Sequence, residues 1–112
     1  MRFSLNAEQL LAVRHGAADP AASPPLLVLA GAGTGKTATI AHRVAWLVEQ
    51  KLPPERLLLL TFSRRAAVEM IHRAGALLAG PGAGQRFHLP WAGTFHSVAA
   101  LLLRRYAALI GL

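Results

Sequence analysis

The octapeptide AGAGTGKT, Ala30 to Thr37, has the residue types and spacing of a phosphate cradle. It follows the pattern G-x-x-x-x-G-K-[ST], with Ala30 in place of the first glycine. Glycines let several backbone N–H groups point into one concavity, because no Cβ blocks the approach of an anion. A helix opening near Thr37 adds uncapped amides and the positive end of its dipole. Lys36 has the reach and charge to meet the β- and γ-phosphates of a nucleotide, and the Thr37 hydroxyl can ligate Mg²⁺. Taken as mere turn glycines, Gly33 and Gly35 leave Lys36-Thr37 without an explanation. The candidate nucleotide-binding residues are therefore Ala30, Gly31, Ala32, Gly33, Thr34, Gly35, Lys36 and Thr37. The loop by itself does not choose between ATP and GTP.

Other chemistries find little support. With no cysteine there is neither a disulfide framework nor a thiolate metal site. None of the five histidines pairs with another ligand type at zinc-site spacing, and His15, His42, His72 and His88 read as surface or boundary residues. The acids are Glu8, Asp19, Glu49, Glu55 and Glu69, and none follows an apolar strand-like run. The acid that normally completes Mg²⁺ binding from the end of a neighbouring strand is thus missing. Twelve Lys and Arg against five Asp and Glu give a net charge of +7, which points to a polyanionic partner, nucleic acid first. A basic but inert surface is the plainer reading of the same charge. The apolar runs stop short of the about 18 residues that a spanning helix needs. The N-terminus lacks a secretory h-region, so the expected location is cytoplasmic and no membrane is expected as a partner.

The elements that must position these residues alternate. Asn6 and Gln9 have capping-box spacing ahead of a helix through AEQLLAVRH. Gly16 to Pro25 is a loop rich in Pro, Ala and Gly. Leu26–Ala30 and Leu57–Phe62 read as strands buried on both faces, and a third strand is expected near Trp91–Phe95. Helices are expected over Thr37–Gln50, with Ile40, Val44, Leu47 and Val48 on one face, and over Arg64–Ala79, with Ala67, Met70, Ile71, Ala74, Leu77 and Leu78 inward. Ser97 is the expected cap of a last helix carrying Leu101, Leu102, Tyr106 and Leu109. A helix followed by β-α-β-α-β-α predicts an α/β fold, a parallel sheet flanked by helices.

Three further segments lie in order around the loop: LNAEQ before it, then LLLLTFSRRAAVEM, then GTFHSVAALLLRR. Together with AGAGTGKT they closely resemble the N-terminal motifs of superfamily-one DNA helicases of the UvrD/Rep/PcrA type, over nearly the whole chain. The resemblance implies a partial RecA-like P-loop NTPase domain, with ATP and Mg²⁺ as cofactors and Lys36 and Thr37 in catalytic roles. It implies that Gln9 reads adenine, although a glutamine at this position can equally reach back to the Asn6 amide. It implies that Phe62, Ser63, Arg64 and Arg65 lie along single-stranded or partly duplex DNA, where a solvated basic helix start is the alternative. It places Phe95 and His96 against the strand as well; a core residue and an exposed loop residue are their plainer readings. Two departures stand out: many relatives carry Asn-Lys at Arg64-Arg65, and many carry Arg at Ala38, which removes one nucleotide contact here. Residues 1–112 are then expected to form the incomplete N-terminal part of a UvrD-like ATP-binding domain, ending before the Walker B and later motifs and missing the remainder of a 3′–5′ helicase. A standalone basic module that binds single strands without hydrolysis is the rival. A different P-loop enzyme, such as a small-molecule kinase, would leave TFSRRAAVEM and GTFHS unexplained.

Overall fold

The structure, a computed structural model, describes residues 5–16, 19, 24–27, 35–79 and 88–111. The regular elements among these are helix α1 (Ala7–Val13), helix α2 (Lys36–Glu49), strand β1 (Leu58–Thr61), helix α3 (Arg64–Ala79), strand β2 (Trp91–Thr94) and helix α4 (Phe95–Tyr106). Short 3₁₀ turns cover Pro54–Arg56 and Ala107–Ile110. The strands pair in parallel, with Leu58 opposite Trp91 and Thr61 opposite Thr94. Among the described residues the protein is therefore α/β, with a two-stranded parallel sheet flanked by helices.

Small residues set the packing. Ala38, Ala41 and Ala45 of α2 and Ala67 and Ala74 of α3 are all buried, which lets the two helices approach closely. Val44, Leu59, Ala74 and Leu89 form the core, with Leu57, Met70, Ile71 and Ala92 packed against it. Helix α1 is capped at its start and tied to α2 at its end. Asn6 caps its start, accepting the Gln9 N–H at 2.8 Å, while Gln9 Oε1 accepts the Asn6 N–H at 2.9 Å. At the other end Arg43 of α2 donates to the carbonyls of Val13 at 2.8 Å and His15 at 2.7 Å, with Ala12 at 3.4 Å. These carbonyls lie at the C-terminal end of the helix, where a cation is favoured. Partial burial pushes the Arg43 guanidinium below its ordinary pKa, but arginine keeps its proton, so the clasp does not titrate in the physiological range.

Helix α2 ends in a Schellman-type cap: Leu52 N–H donates to the Leu47 carbonyl at 3.2 Å and Lys51 N–H to Val48 at 3.0 Å. Lys51 takes the left-handed position, φ 72°. Pro53 and Pro54 follow and prevent the helix from continuing.

Several expectations are corrected. Leu26 and Leu27 carry no regular structure and are 49% and 80% exposed, so the strand does not begin there. Pro24 and Pro25 just before them lack the N–H groups a ladder requires. Residues 28–30 lie outside the described ones, so two strands are seen where three were expected. Strand β1 is shorter than Leu57–Phe62, because Leu57 N–H still bonds the Pro54 carbonyl at 3.2 Å and Phe62 already turns outward. It is also covered on one face only: Leu59 is buried, while Leu58 and Leu60 are 59% and 36% exposed. Leu77, expected inward, is 37% exposed, and Ile40, expected on one face with Val44 and Leu47, is 40% exposed where those two are buried. Helix α4 begins directly from β2. Thr94, not Ser97, is its cap, accepting the Ser97 N–H at 3.1 Å. Val98 is its buried residue, whereas Leu101, Leu102, Tyr106 and Leu109 are exposed, because no described element packs on that side.

Candidate functional site

The first group of site residues gathers where α2 begins. Gly35 stands at its N-cap in the left-handed region, φ 84°, and no side chain caps the helix. Among the described residues no side chain accepts from the first-turn amides, and no acid occupies that turn. Thr39, one turn in, donates its hydroxyl back to the Gly35 carbonyl at 3.0 Å. Lys36 is exposed and Thr37 is half-buried. Gln9 belongs to the same neighbourhood: a Cβ built on Gly35 would lie 2.9 Å from Gln9 Nε2. A side chain is therefore excluded at Gly35 both by its φ and by this close approach. The structure brings Gln9 to the loop's end, and it also realises the capping bond to Asn6. Ala30, Gly31, Ala32, Gly33 and Thr34 lie outside the described residues.

The second group gathers at the C-terminal ends of the two strands. Because the pairing is parallel and Thr61 faces Thr94, the next residue on each chain is a phenylalanine at the same level. The rings of Phe62 and Phe95 stand 5.2 Å apart, inclined by 34°. Both are exposed, Phe62 by 95% and Phe95 by 47%, which rules out the core reading of Phe95. Helices α3 and α4 start at these two points, so two helix N-termini flank the rings. Neither helix has an acid in its first turn. Ser63 caps α3, accepting the Ala66 N–H at 3.1 Å through its hydroxyl oxygen. Arg64 and Arg65 open that helix and are exposed. Cations at a helix N-terminus oppose the dipole and weaken the helix. Their presence there suits an anion better than it suits stability. His96 is exposed in the first turn of α4.

Two residues outside the candidate site set shape this second group. Gly93, φ 156°, leaves room for α4 to fold back over the strand, since a Cβ there would meet Ser97 Oγ at 2.5 Å. Thr61 is buried and donates its hydroxyl to the Ser63 carbonyl at 2.7 Å. A visible signal existed for the pairing, because each strand ends in a threonine that is followed by a phenylalanine. None of the five acids stands at a strand's C-terminal end: Glu8 is in α1, Glu49 in α2 and Glu69 in α3, Glu55 precedes β1, and Asp19 lies in the first loop. Among the described residues no group of acids and histidines is arranged to hold a metal, and no helix is long and apolar enough to cross a membrane.

The fold and site thus define an α/β protein whose exposed aromatics and helix N-termini collect where parallel strands end. Comparison with known proteins names the class. The family model of the UvrD/REP helicase N-terminal domain matches residues 5–112, and the chain belongs to that family. It is similar to DNA helicase II of Escherichia coli, at 42% identity over 104 residues, covering 92% of this chain and 13% of the relative. It is also similar to the ATP-dependent DNA helicase PcrA of Staphylococcus epidermidis, at 39% identity over 110 residues, covering 97% of this chain and 14% of the relative. DNA helicase II of Haemophilus influenzae is 45% identical over 87 residues. The chain therefore spans about one-eighth of the length of these relatives.

Proposed function

We propose that this chain is the N-terminal part of an ATP-dependent 3′–5′ DNA helicase, a partial RecA-like P-loop domain that binds ATP with Mg²⁺ at Ala30–Thr37 and lies along single-stranded DNA. The single observation that carries the DNA half is the exposed Phe62–Phe95 pair at the ends of adjacent parallel strands. Stacking on such rings tolerates any base, as a motor that moves along DNA requires. Arg64, Arg65, Ser63 and His96 surround the pair with donors for the phosphate backbone.

The start of α2 fits a triphosphate. Its amides lack a side-chain cap, its first turn lacks an acid, and Gly35 can take the required left-handed turn. Lys36 offsets phosphate charge, the Thr37 hydroxyl holds the cation, and Gln9, packed beside Gly35, reads the adenine. When bound, ATP with Mg²⁺ would supply the free energy for movement along DNA. Hydrolysis also needs a carboxylate at a strand end, and Thr61 and Thr94 occupy those positions here. The 112-residue chain alone is therefore expected to show no turnover and to bind nucleotide weakly, at millimolar Mg-ATP. The similarity to bacterial DNA helicases supports a cytoplasmic location.

The net charge of +7 also favours a second reading, single-strand binding without nucleotide chemistry. Anisotropy of a labelled oligo-dT separates the two. On the helicase reading Mg-ATP shifts DNA affinity, and Lys36→Ala removes that shift while nucleotide-free DNA binding persists. An affinity indifferent to both Mg-ATP and Lys36→Ala supports the second reading. Phe62→Ala with Phe95→Ala is expected to lower dT affinity at least tenfold, on about 1–3 kcal/mol per stacked base. If that double variant binds dT as the parent does, the DNA half of the proposal is lost.

A further inference from the structure

We infer that Thr61 is a positioning residue that sets the spacing of the Phe62–Phe95 pair, an inference that rests on the single-strand reading of those rings for its functional weight. Thr61 is the last residue of β1 and is only 6% exposed. Its hydroxyl donates to the Ser63 carbonyl at 2.7 Å, closing a tight turn whose apex is Phe62. The Gly93 carbonyl of β2 lies 3.4 Å from the same oxygen. One hydroxyl proton thus sits at the seam between the two chain segments that present the rings. The shorter bond fixes where the chain leaves β1. The longer approach keeps that exit against the strand that leads, two residues on, to Phe95.

A hydroxyl buried at this depth must have a partner, so satisfying its own burial would be reason enough for the Ser63 bond. Steering is the added claim, and isosteric replacement separates it from simple satisfaction. Thr61→Val keeps the β-branched shape and strand preference and deletes the donor. Thr61→Ser keeps the donor and loses a methyl group.

The test uses the full 112-residue chain and two readouts. One is the NOE between the Phe62 and Phe95 ring protons; the other is the affinity for labelled oligo-dT. Thr61→Val is expected to abolish the ring–ring NOE and to weaken dT binding by about threefold to tenfold, the size of one hydrogen bond. Thr61→Ser retains both. In a Phe62→Ala, Phe95→Ala background, Thr61→Val has no further effect on dT binding. The inference is overturned if Thr61→Val keeps the NOE, or if it weakens dT binding equally without the rings. Loss of helical circular dichroism in Thr61→Val also overturns it, since the hydroxyl is then a determinant of folding. If the NOE responds as expected while removing both rings leaves dT affinity unchanged, the positioning stands and the single-strand reading of the pair fails.

Discussion

At the scale of single residues, the clearest conflict between stability and function is at Arg64 and Arg65. Two guanidinium groups open α3, where the helix dipole disfavours them and where an acid would be preferred. A DNA phosphate in front of that turn would reverse the sign of the interaction. Each arginine that neutralises a phosphate contributes about 0.7 to the slope of log affinity against log salt for a single strand. The Arg64→Ala, Arg65→Ala variant is therefore expected to bind oligo-dT more weakly, with a slope smaller by about 1.4. An unchanged slope removes both residues from the interface. The same variant should melt at a temperature equal to or above that of the parent chain, because the unfavourable charges are gone.

At the scale of elements, the C-terminal cap of α2 shows a local cost that the fold accepts. Lys51 adopts φ 72°, a region that costs a residue with a Cβ about 1 kcal/mol. Lys51→Gly is expected to stabilise the chain by up to that amount, read as a higher midpoint in urea with an unchanged m-value. A fall in the midpoint would show that the lysine side chain contributes more than its backbone costs. Elements were legible in the sequence where local chemistry suffices. The Asn6–Gln9 box, the Arg64–Ala79 helix and the Trp91 strand start all follow from residue type and period. The α4 cap was misplaced because Thr94 and Ser97 are both competent, and only β2 handing over directly to α4 makes Thr94 the first non-helical residue. The exposure of Leu101, Leu102, Tyr106 and Leu109 was not legible, because periodicity shows which residues share a stripe, not whether a neighbour exists to cover it. The Phe62–Phe95 pair needed the parallel register, a long-range fact that neither motif contains alone.

At the scale of the whole molecule, the described elements leave apolar surface on two sides. Leu58 and Leu60 of β1 are open on one, and Leu101, Leu102, Leu103, Leu109 and Ile110 are exposed along α4 and the turn after it. A parallel sheet is ordinarily covered on both faces, and contiguous apolar surface of this kind drives association. The purified 112-residue chain is expected to sediment as concentration-dependent oligomers and to enhance the fluorescence of an apolar dye, with mild salt increasing both effects. A monodisperse, dye-silent monomer would contradict this. The pairing of the strands has an evolutionary corollary. Each ring stands one step beyond matched partners, so losing or gaining one amino acid inside β1 or β2 would swing one phenylalanine to the opposite side of the sheet. Outside the paired strands no such register applies. Length variation among descendants of this chain should collect there, and the two four-residue strands should keep their length.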